Sequence, residues 1–305
     1  MRLKKLAAIS LSVLCVAGML TGCGGGNSNS TSGGSSAGSS ANSSEAKPIS
    51  IVSREDGSGT RGAFIELFGV QEKDADGNKI DNTSVDANIV KSTEVMMTTV
   101  ANDDYAIGYT SLGALNDTVK ALKVDGVEAT AENIKGGTYK ISRPFNIATK
   151  GKVSDVADDF MKYIMSSDGQ QVIEDNGYIK VDDAAAAFKS SGAEGTVVVA
   201  GSSSVTPVME KLAESYEKVN TKAKIDIQES DSTTGMTSVA EGTCDIGMAS
   251  RELEDSEKDA GLTPVAIALD GIAVIVNKNN TIDDIKPDMV KSIYVGDVTD
   301  WNDVK

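Results

Sequence analysis

Short apolar runs alternate with amphipathic stretches along the chain from residue 48 onward. The runs PISIVS at 48–53 and TVVVA at 196–200 are typical of buried strands, because they are short and rich in β-branched residues. Residues 153–165 show apolar positions at helical spacing, and so do residues 206–219, where Pro207 falls in the first turn. The same criteria predict further strands at 106–110, 118–124, 139–149, 224–228, 245–249 and 264–276, and helices at 59–68, 92–101, 167–175, 234–241 and 287–294.

Alternating strands and helices of this kind indicate an α/β fold with a largely parallel sheet. Residues 48–305 are long enough for two lobes, each with its own core sheet. Between the two clearest strand–helix units lies DAAAAFKSSGAEG at 183–195, whose small and polar residues are typical of a linker.

The N-terminal segment has the pattern of a secretory signal. Basic residues at positions 2, 4 and 5 precede an apolar stretch at 6–20 that is too short to span a bilayer comfortably. It ends in LTGC at 20–23, which resembles the bacterial lipobox, so we expect a signal peptide at 1–22 and lipidation of Cys23. Residues 23–47 are rich in Gly, Ser and Asn and form the expected flexible tether. An ordinary signal peptide with an incidental cysteine is the alternative.

Composition narrows the possible functions. The chain has 29 basic and 45 acidic residues, a formal charge of -16, whereas a nucleic-acid-binding protein normally carries the opposite sign. It has no histidine, which excludes a Ser-His-Asp triad and most transition-metal sites. We therefore expect no cofactor, no metal and no nucleic-acid partner. Once the signal is removed and Cys23 is lipidated, Cys244 is the remaining cysteine, and we expect it in the core.

Three hydroxyl-rich turns each directly precede a predicted helix: SREDGSGTR at 53–61, GSSS at 201–204 and SDSTTG at 230–235. Each offers hydroxyl groups, unhindered backbone N–H groups and the positive end of a helix dipole, which together bind anions without net positive charge. Arg54 and Arg61 can add bidentate bonds to an oxyanion. Any one turn could be a simple helix cap, but three in one chain favour an anion site.

The glycines at 57, 59 and 62 also match G-x-G-x-x-G, the dinucleotide fingerprint. That motif follows its strand immediately, whereas Arg54, Glu55 and Asp56 intervene here, which disfavours a nucleotide site. A phosphate-ester hydrolase would need a nucleophile with a base or a metal, and the absence of histidine and of any dense carboxylate cluster disfavours this class. We expect that the chain is not an enzyme.

Several blocks together resemble the phosphate-binding proteins of the phosphate ABC importer. They are IVSREDGSGTR at 51–61, AIGYTSL at 106–112, VAGSSSVTP at 199–207, DIGMASR at 245–251 and LDGIAVIVN at 269–277. The resemblance spans residues 48–305 and implies a two-lobed clamp like the type II periplasmic binding proteins, closing on its ligand.

The order of these blocks differs from the family's order. In the family the GSSS block opens the mature protein and the SREDGSGT block comes mid-chain, whereas here the mid-chain block comes first. The resemblance therefore implies a circular permutation in which residues 183–195 join the ancestral termini. It assigns residues 141–277 to the first lobe and residues 48–140 plus 278–305 to the second.

Carried over by motif, the resemblance implies which residues hold phosphate. Asp56 is expected to orient Arg54 through an ion pair, and Arg61 to make a further contact. In the best-described branch of the family, a proton-accepting aspartate stands where this chain has Arg251. Arg251 suits a highly charged anion, and Asp56 or Glu252 could take over proton acceptance. The expected phosphate-binding residues are Arg54, Ser58, Gly59, Thr60, Ser203, Ser204, Ser232 and Arg251.

The expected function is that of a monomeric lipoprotein, anchored on the extracytoplasmic face of the cell membrane, that captures inorganic phosphate and delivers it to the importer's permease subunits. Two alternatives remain open. The ligand could be sulfate or another tetrahedral oxyanion, or the protein could be a phosphate sensor or surface protein without a transport role.

Overall fold

The computed structural model describes residues 45–304. The expected signal peptide, the lipidation site at Cys23 and the tether up to residue 44 lie outside the described residues. Within the described part, residues at the end of the expected tether already contact the fold: the Lys47 N–H donates to Asp300 Oδ2 at 3.0 Å, and the Trp301 N–H donates to the Lys47 carbonyl at 2.9 Å. Residues 47 and 301 therefore lie side by side.

The elements alternate much as the sequence predicts. The strands are β1 (Ser50–Arg54), β2 (Gln71–Lys73), β3 (Lys79–Asp81), β4 (Asn88–Val90), β5 (Ala106–Ser111), β6 (Lys120–Ala121), β7 (Lys123–Val124), β8 (Ser142–Lys150), β9 (Ile179–Lys180), β10 (Gly195–Ser202), β11 (Ala223–Ser230), β12 (Ile246–Ala249), β13 (Leu262–Val276) and β14 (Asp284–Ile285). The helices are α1 (Gly59–Leu67), α2 (Thr93–Ala101), α3 (Ala131–Lys135), α4 (Asp155–Ile164), α5 (Ser167–Asp175), α6 (Thr206–Val219), α7 (Ser232–Glu241), α8 (Asp255–Asp259) and α9 (Pro287–Tyr294).

The main sheet runs in the order β11-β10-β12-β8-β13-β5-β1-β4. Strands β11, β10 and β12 pair in parallel at one end, and β5, β1 and β4 pair in parallel at the other. In the middle, β8 and β13 pair antiparallel with each other. On their other sides, β8 pairs antiparallel with β12, and β13 pairs antiparallel with β5. The expectation of largely parallel pairing thus holds only at the two ends of the sheet. An apolar run such as β13 predicts a buried strand, but it does not show whether the neighbouring strands run parallel or antiparallel to it.

Three apolar clusters surround this sheet. The Phe64 core packs against β1, β5 and residues 272–276 of β13, whereas the Phe145 core packs against β8, β10 and β12. A third cluster, around Met236, covers the opposite face of the same strands, since Val197 and Val199 point to the Phe145 core while Val198 and Ala200 point to the Met236 cluster. We call the Phe64 core with its strands one half of the fold, and the Phe145 core and Met236 cluster with theirs the other half. The boundary between the two halves falls inside β13, whereas the sequence analysis placed all of residues 141–277 in one lobe.

Residues 183–194 contain no helix or strand, but they are firmly attached to the fold. The Asp159 carboxylate accepts hydrogen bonds from the Ser191 N–H at 2.8 Å, Ser190 Oγ at 3.1 Å and Tyr216 OH at 2.9 Å. Burial alone raises the pKa of Asp159, but these bonds outweigh burial and hold its pKa below the ordinary value. The Phe188 ring lies 5.1 Å from that of Tyr163. The segment is therefore an ordered connection.

Two smaller features bear on the earlier expectations. Cys244, expected in the core, is a buried member of the Met236 cluster. Across residues 45–304, the structure contains no helix that is both long enough and apolar enough to cross a membrane.

Candidate anion site

Four helices begin around one small region, and each start carries a hydroxyl group. Thr60 lies in the first turn of α1, Thr93 is the first residue of α2, Ser204 precedes α6 and Ser232 is the first residue of α7. Helices α1 and α2 pack in the Phe64 core, while α6 packs in the Phe145 core and α7 in the Met236 cluster. Because the N–H groups of a first helical turn lack partners within the helix, four such starts concentrate donors and positive dipole ends here.

These hydroxyls contact one another across the two halves of the fold. Thr60 Oγ1 lies 2.8 Å from Ser204 Oγ, and Thr93 Oγ1 lies 3.1 Å from the same atom. Ser232 Oγ lies 3.4 Å from Ser250 Oγ on its own half, and Ser250 Oγ lies 3.5 Å from Thr60 Oγ1 on the other half. All members are buried, and Ser204, Ser232 and Ser250 are fully buried. We call this set the hydroxyl cluster: Thr60, Thr93, Ser202, Ser203, Ser204, Ser232 and Ser250.

Arg54 brings a positive charge to the hydroxyl cluster. It ends β1, is only 3% exposed, and its Nη2 donates to Ser203 Oγ at 3.0 Å. Nε and Nη2 also form a two-pronged bond with the carboxylate of Glu55, at 2.9 and 2.8 Å. Since a buried guanidinium is costly without a partner, Glu55 stabilises and orients Arg54.

The backbone of Arg54 is fixed as well. The Arg54 N–H donates to the Tyr109 hydroxyl at 3.0 Å, and that hydroxyl lies 2.9 Å from Ser53 Oγ. Burial raises the pKa of Tyr109 to about 12, so its hydroxyl stays neutral and available as an acceptor. The guanidinium is thereby held at the edge of the hydroxyl cluster.

The expected pairing of Asp56 with Arg54 is wrong. Glu55 takes that place, and the Asp56 side chain is fully exposed and pairs with Arg61 at 2.8 Å. The turn between β1 and α1 points Asp56 outward, toward a residue in the first turn of the helix. Arg61 also pairs with Asp81 and donates to the Arg54 carbonyl at 2.8 Å, so it braces the turn without touching the hydroxyl cluster.

Arg251, expected as an anion contact, points away from the hydroxyl cluster. Its Nη1 and Nη2 bond the Glu257 carboxylate at 2.8 Å each, and Nη2 donates to Thr233 Oγ1 at 3.1 Å. Glu252 is exposed and Asp56 faces Arg61, so neither suggested proton acceptor lies at the hydroxyls. Within residues 45–304, none of the cluster's hydroxyls hydrogen-bonds to a carboxylate; Glu55 reaches the cluster only through Arg54.

The remaining expected residues shape the turn before α1. Ser58 caps the helix, with its Oγ accepting the Arg61 N–H at 3.3 Å. Gly59 faces the other half of the fold: a Cβ atom there would meet Ser232 Oγ and lie only 2.8 Å from Ser250 Oγ. The Thr233 N–H donates to the Gly57 carbonyl at 3.1 Å. The absence of a side chain on Gly59 lets the two halves meet.

Thr93, Ser202 and Ser250 are cluster members that the sequence analysis did not single out. Thr93 had a usable signal, since Ser92 and Thr93 are the first two residues of the helix predicted at 92–101 and both carry hydroxyls, like the residues before the other three helices. Ser202 lies within the GSSS turn, and Ser250 stands beside Arg251 in the DIGMASR block. Neither residue type nor spacing distinguishes them from ordinary buried serines. Between residues 45 and 304, no three His, Cys, Asp or Glu side chains are placed to hold a metal ion.

Comparison with known proteins decides the family. A family profile described as the PBP superfamily domain matches residues 35–168 and 186–305. This chain belongs to the PBP superfamily. The α/β fold and the family expected from the sequence are thereby confirmed.

Individual relatives agree. The chain is 52% identical over 302 residues to "Phosphate-binding protein PstS 2" of Streptococcus agalactiae, covering 99% of this chain and 98% of that one. The crystal structure of a phosphate ABC transporter, phosphate-binding protein from Streptococcus pneumoniae superposes with a TM-score of 0.68 at 44% identity, covering 85% of this chain and all of the other.

A more distant relative matches only in part. "Phosphate-binding protein PstS" of Bacillus subtilis is 35% identical over 137 residues, which is 44% of this chain and 42% of that one. All three relatives are named as binding proteins rather than enzymes, in agreement with the expectation for this chain.

Proposed function

We propose that the chain captures inorganic phosphate within the hydroxyl cluster and delivers it to the permease subunits of an ABC importer. One observation carries the proposal: a buried arginine and hydroxyls from four helix starts converge from both halves of the fold, without a carboxylate among them. The names of the full-length relatives support phosphate as the ligand.

The chemistry suits a small, highly charged oxyanion. Arg54 can donate two charge-assisted bonds, and the N–H groups at the starts of α1, α2, α6 and α7 can donate several more. Since water is excluded, these dipoles act in a low-dielectric environment and offset the cost of desolvating the anion. The net charge of -16 then matters little, because the local donors dominate the site.

Sulfate or another tetrahedral oxyanion remains the second candidate, and one feature favours it. A protonated phosphate needs an acceptor for its proton, which sulfate does not. Here the acceptors in the cluster are neutral hydroxyl oxygens, which can serve as donor or acceptor and so select weakly. A sensor or surface protein without transport would use the same site.

Calorimetric titration of the purified protein with phosphate and then with sulfate at neutral pH tests the ligand. We expect saturable one-to-one phosphate binding, with sulfate binding at least about tenfold more weakly, a difference of about 1.4 kcal/mol. Sulfate binding more tightly would replace phosphate as the ligand. A folded protein that binds neither anion would overturn the proposal.

We also propose that lipid on Cys23 fixes the protein to the outer face of the cell membrane. The LTGC ending of the signal and the Gly/Ser-rich residues after it support this assignment. Replacing Cys23 with serine should move the protein from the membrane fraction to the soluble one in its bacterial host. Cys244→Ser is the matched control and should stay with the membrane. Membrane retention of Cys23→Ser would contradict the anchor.

Circular permutation of a two-lobed clamp is a third part of the proposal. Residues 47–49 and 299–301 lie side by side, with Pro48 and Asp300 forming an antiparallel bridge, so a family-like chain could run directly from one to the other. The partial match to the Bacillus subtilis relative also supports the proposal, because an alignment in chain order can follow only one segment of a permuted sequence. Compact domains tolerate such rearrangement when the ends are close.

Restoring the inferred ancestral order tests the permutation. The variant begins at Gly192, joins Val304 to Glu45 through a short Gly/Ser linker and ends at Ser191, so the Asp159 contacts are kept. We expect a monomer on size exclusion, cooperative unfolding and phosphate affinity within about threefold of the parent. A variant that cannot fold, or that folds without binding while the parent binds, would contradict the permutation.

A further inference from the structure

Arg251 crosses the junction between the two halves of the fold. It follows β12 on one half, and its side chain lies over the first turn of α1 on the other. A Cβ atom on Gly59 would lie 3.1 Å from Arg251 Cγ, and one on Gly62 would lie 3.9 Å from Arg251 Cδ. The aliphatic part of Arg251 therefore covers a side-chain-free strip of α1.

The guanidinium of Arg251 is held on its own half. Glu257 in α8 bonds it through two oxygens, and Thr233 at the start of α7 accepts a third bond. The side chains of Arg251 and Glu257 are only 11% and 12% exposed, so water screens this pair less than an ordinary surface pair. This attachment holds the aliphatic part in place over α1.

Arg251 also separates the hydroxyl cluster from open space. On one side, a Cβ atom on Gly59 would contact the side chains of Arg251, Ser232 and Ser250 together, so Arg251 lies beside these two serines. On the other, Arg251 lines an open cleft of about 1020 Å³ together with Gly57, Ser58 and Thr233. The hydrogen bond from the Thr233 N–H to the Gly57 carbonyl joins the two halves of the fold close to Arg251.

We propose that Arg251, positioned by Glu257, is a latch that seals the anion site and slows release of the bound anion without touching it. The inference rests on the proposed function of the hydroxyl cluster. Contacts that form only when the halves meet stabilise the closed state, so their loss appears mainly in the dissociation rate. A direct anion ligand would instead lose affinity whenever its charge is removed.

Release of radiolabelled phosphate into excess unlabelled phosphate tests the latch. Arg251→Ala removes both the stem and the guanidinium, and we expect release to accelerate about 30-fold with association changed less than about threefold. Arg251→Met keeps an apolar stem but loses its attachment, and Glu257→Gln weakens that attachment, so we expect intermediate rates, about three- to tenfold faster. Lys258→Met, an exposed change on the same helix, is the matched control and should release phosphate at the parent rate.

Two results would overturn the latch. Arg251→Ala could release phosphate at the parent rate, or Arg251→Met could lose as much affinity as Arg251→Ala, which is the behaviour of a direct ligand. Thermal unfolding without phosphate confirms that each variant is folded at the assay temperature, so that release rates report closure. If the parent itself fails to bind phosphate, the proposed function is wrong; if the parent binds and only the variants disagree, the latch alone is wrong.

Discussion

Replacing Arg54 with methionine lowers phosphate affinity by about a thousandfold, which amounts to loss of binding in practice. Arg54 supplies the positive charge that contacts the hydroxyl cluster, and a charge-assisted hydrogen bond is worth about 1.5–3 kcal/mol. Losing two such bonds to an enclosed anion gives the expected change. Without Arg54, the Glu55 carboxylate would also face the anion unpaired and repel it. Isothermal titration measures the loss.

Folding has to be separated from binding in this experiment, because removing one member of a buried ion pair can itself cost about 3–5 kcal/mol. The double variant Arg54→Met/Glu55→Gln removes both charges and should regain most of the lost stability without regaining phosphate binding. Arg61→Gln is the matched arginine control. Since Arg61 pairs with Asp56 and Asp81 outside the cluster, its loss should lower affinity less than about tenfold. Strong phosphate binding by the folded double variant would place the anion elsewhere.

Placing valine at Gly59 keeps the fold but prevents the two halves from meeting, and we expect phosphate affinity to fall by about a hundredfold. The first added carbon would already overlap Ser232 Oγ and lie 2.8 Å from Ser250 Oγ, so the closed arrangement has no room for a side chain. Gly59 is the first residue of α1 and valine is tolerated there. The free energy of unfolding without phosphate should therefore change by less than about 1 kcal/mol.

Gly62→Ala is the matched control, because it lies three residues further along α1 and its added Cβ would be 3.9 Å from its nearest neighbour, Arg251 Cδ. It should bind phosphate normally. Small-angle X-ray scattering in saturating phosphate checks the cause directly: the Gly59 variant should keep a larger radius of gyration than the Gly62 variant. Equal affinity and equal size in both variants would show that closure at Gly59 is not needed for binding.

Most members of the hydroxyl cluster were predictable because they belong to a local sequence pattern. A hydroxyl residue before a helix lies beside the free N–H groups of the first helical turn, so the turns at 53–61, 201–204 and 230–235 could be found from the sequence. The resemblance to the family then named Thr60, Ser203, Ser204 and Ser232 within them. Thr93 follows the same rule and could have been included. Ser250 could not, because its contacts with Ser232, Ser202 and Thr60 arise only when β12, α7, β10 and α1 come together in the folded structure.

Pairings that depend on side-chain direction were not predictable. Both Glu55 and Asp56 are near Arg54 in the chain, and only the geometry of the turn shows that Glu55 bonds it while Asp56 faces Arg61. Arg251 looked like an anion contact because of its place in the DIGMASR block, yet Glu257, which lies six residues further along, holds its guanidinium. Similarly, the apolar run of β13 predicts a buried strand but not its antiparallel partners β8 and β5.

A crystal structure of the protein grown with phosphate tests the central claim most directly. The account predicts a single enclosed phosphate at the starts of α1, α2, α6 and α7, within hydrogen-bond distance of Arg54, Thr60, Ser203 and Ser204, with the Arg251 guanidinium still on Glu257. Phosphate bound instead in the open cleft, against Arg61 or Arg251 and away from the hydroxyl cluster, would contradict the account.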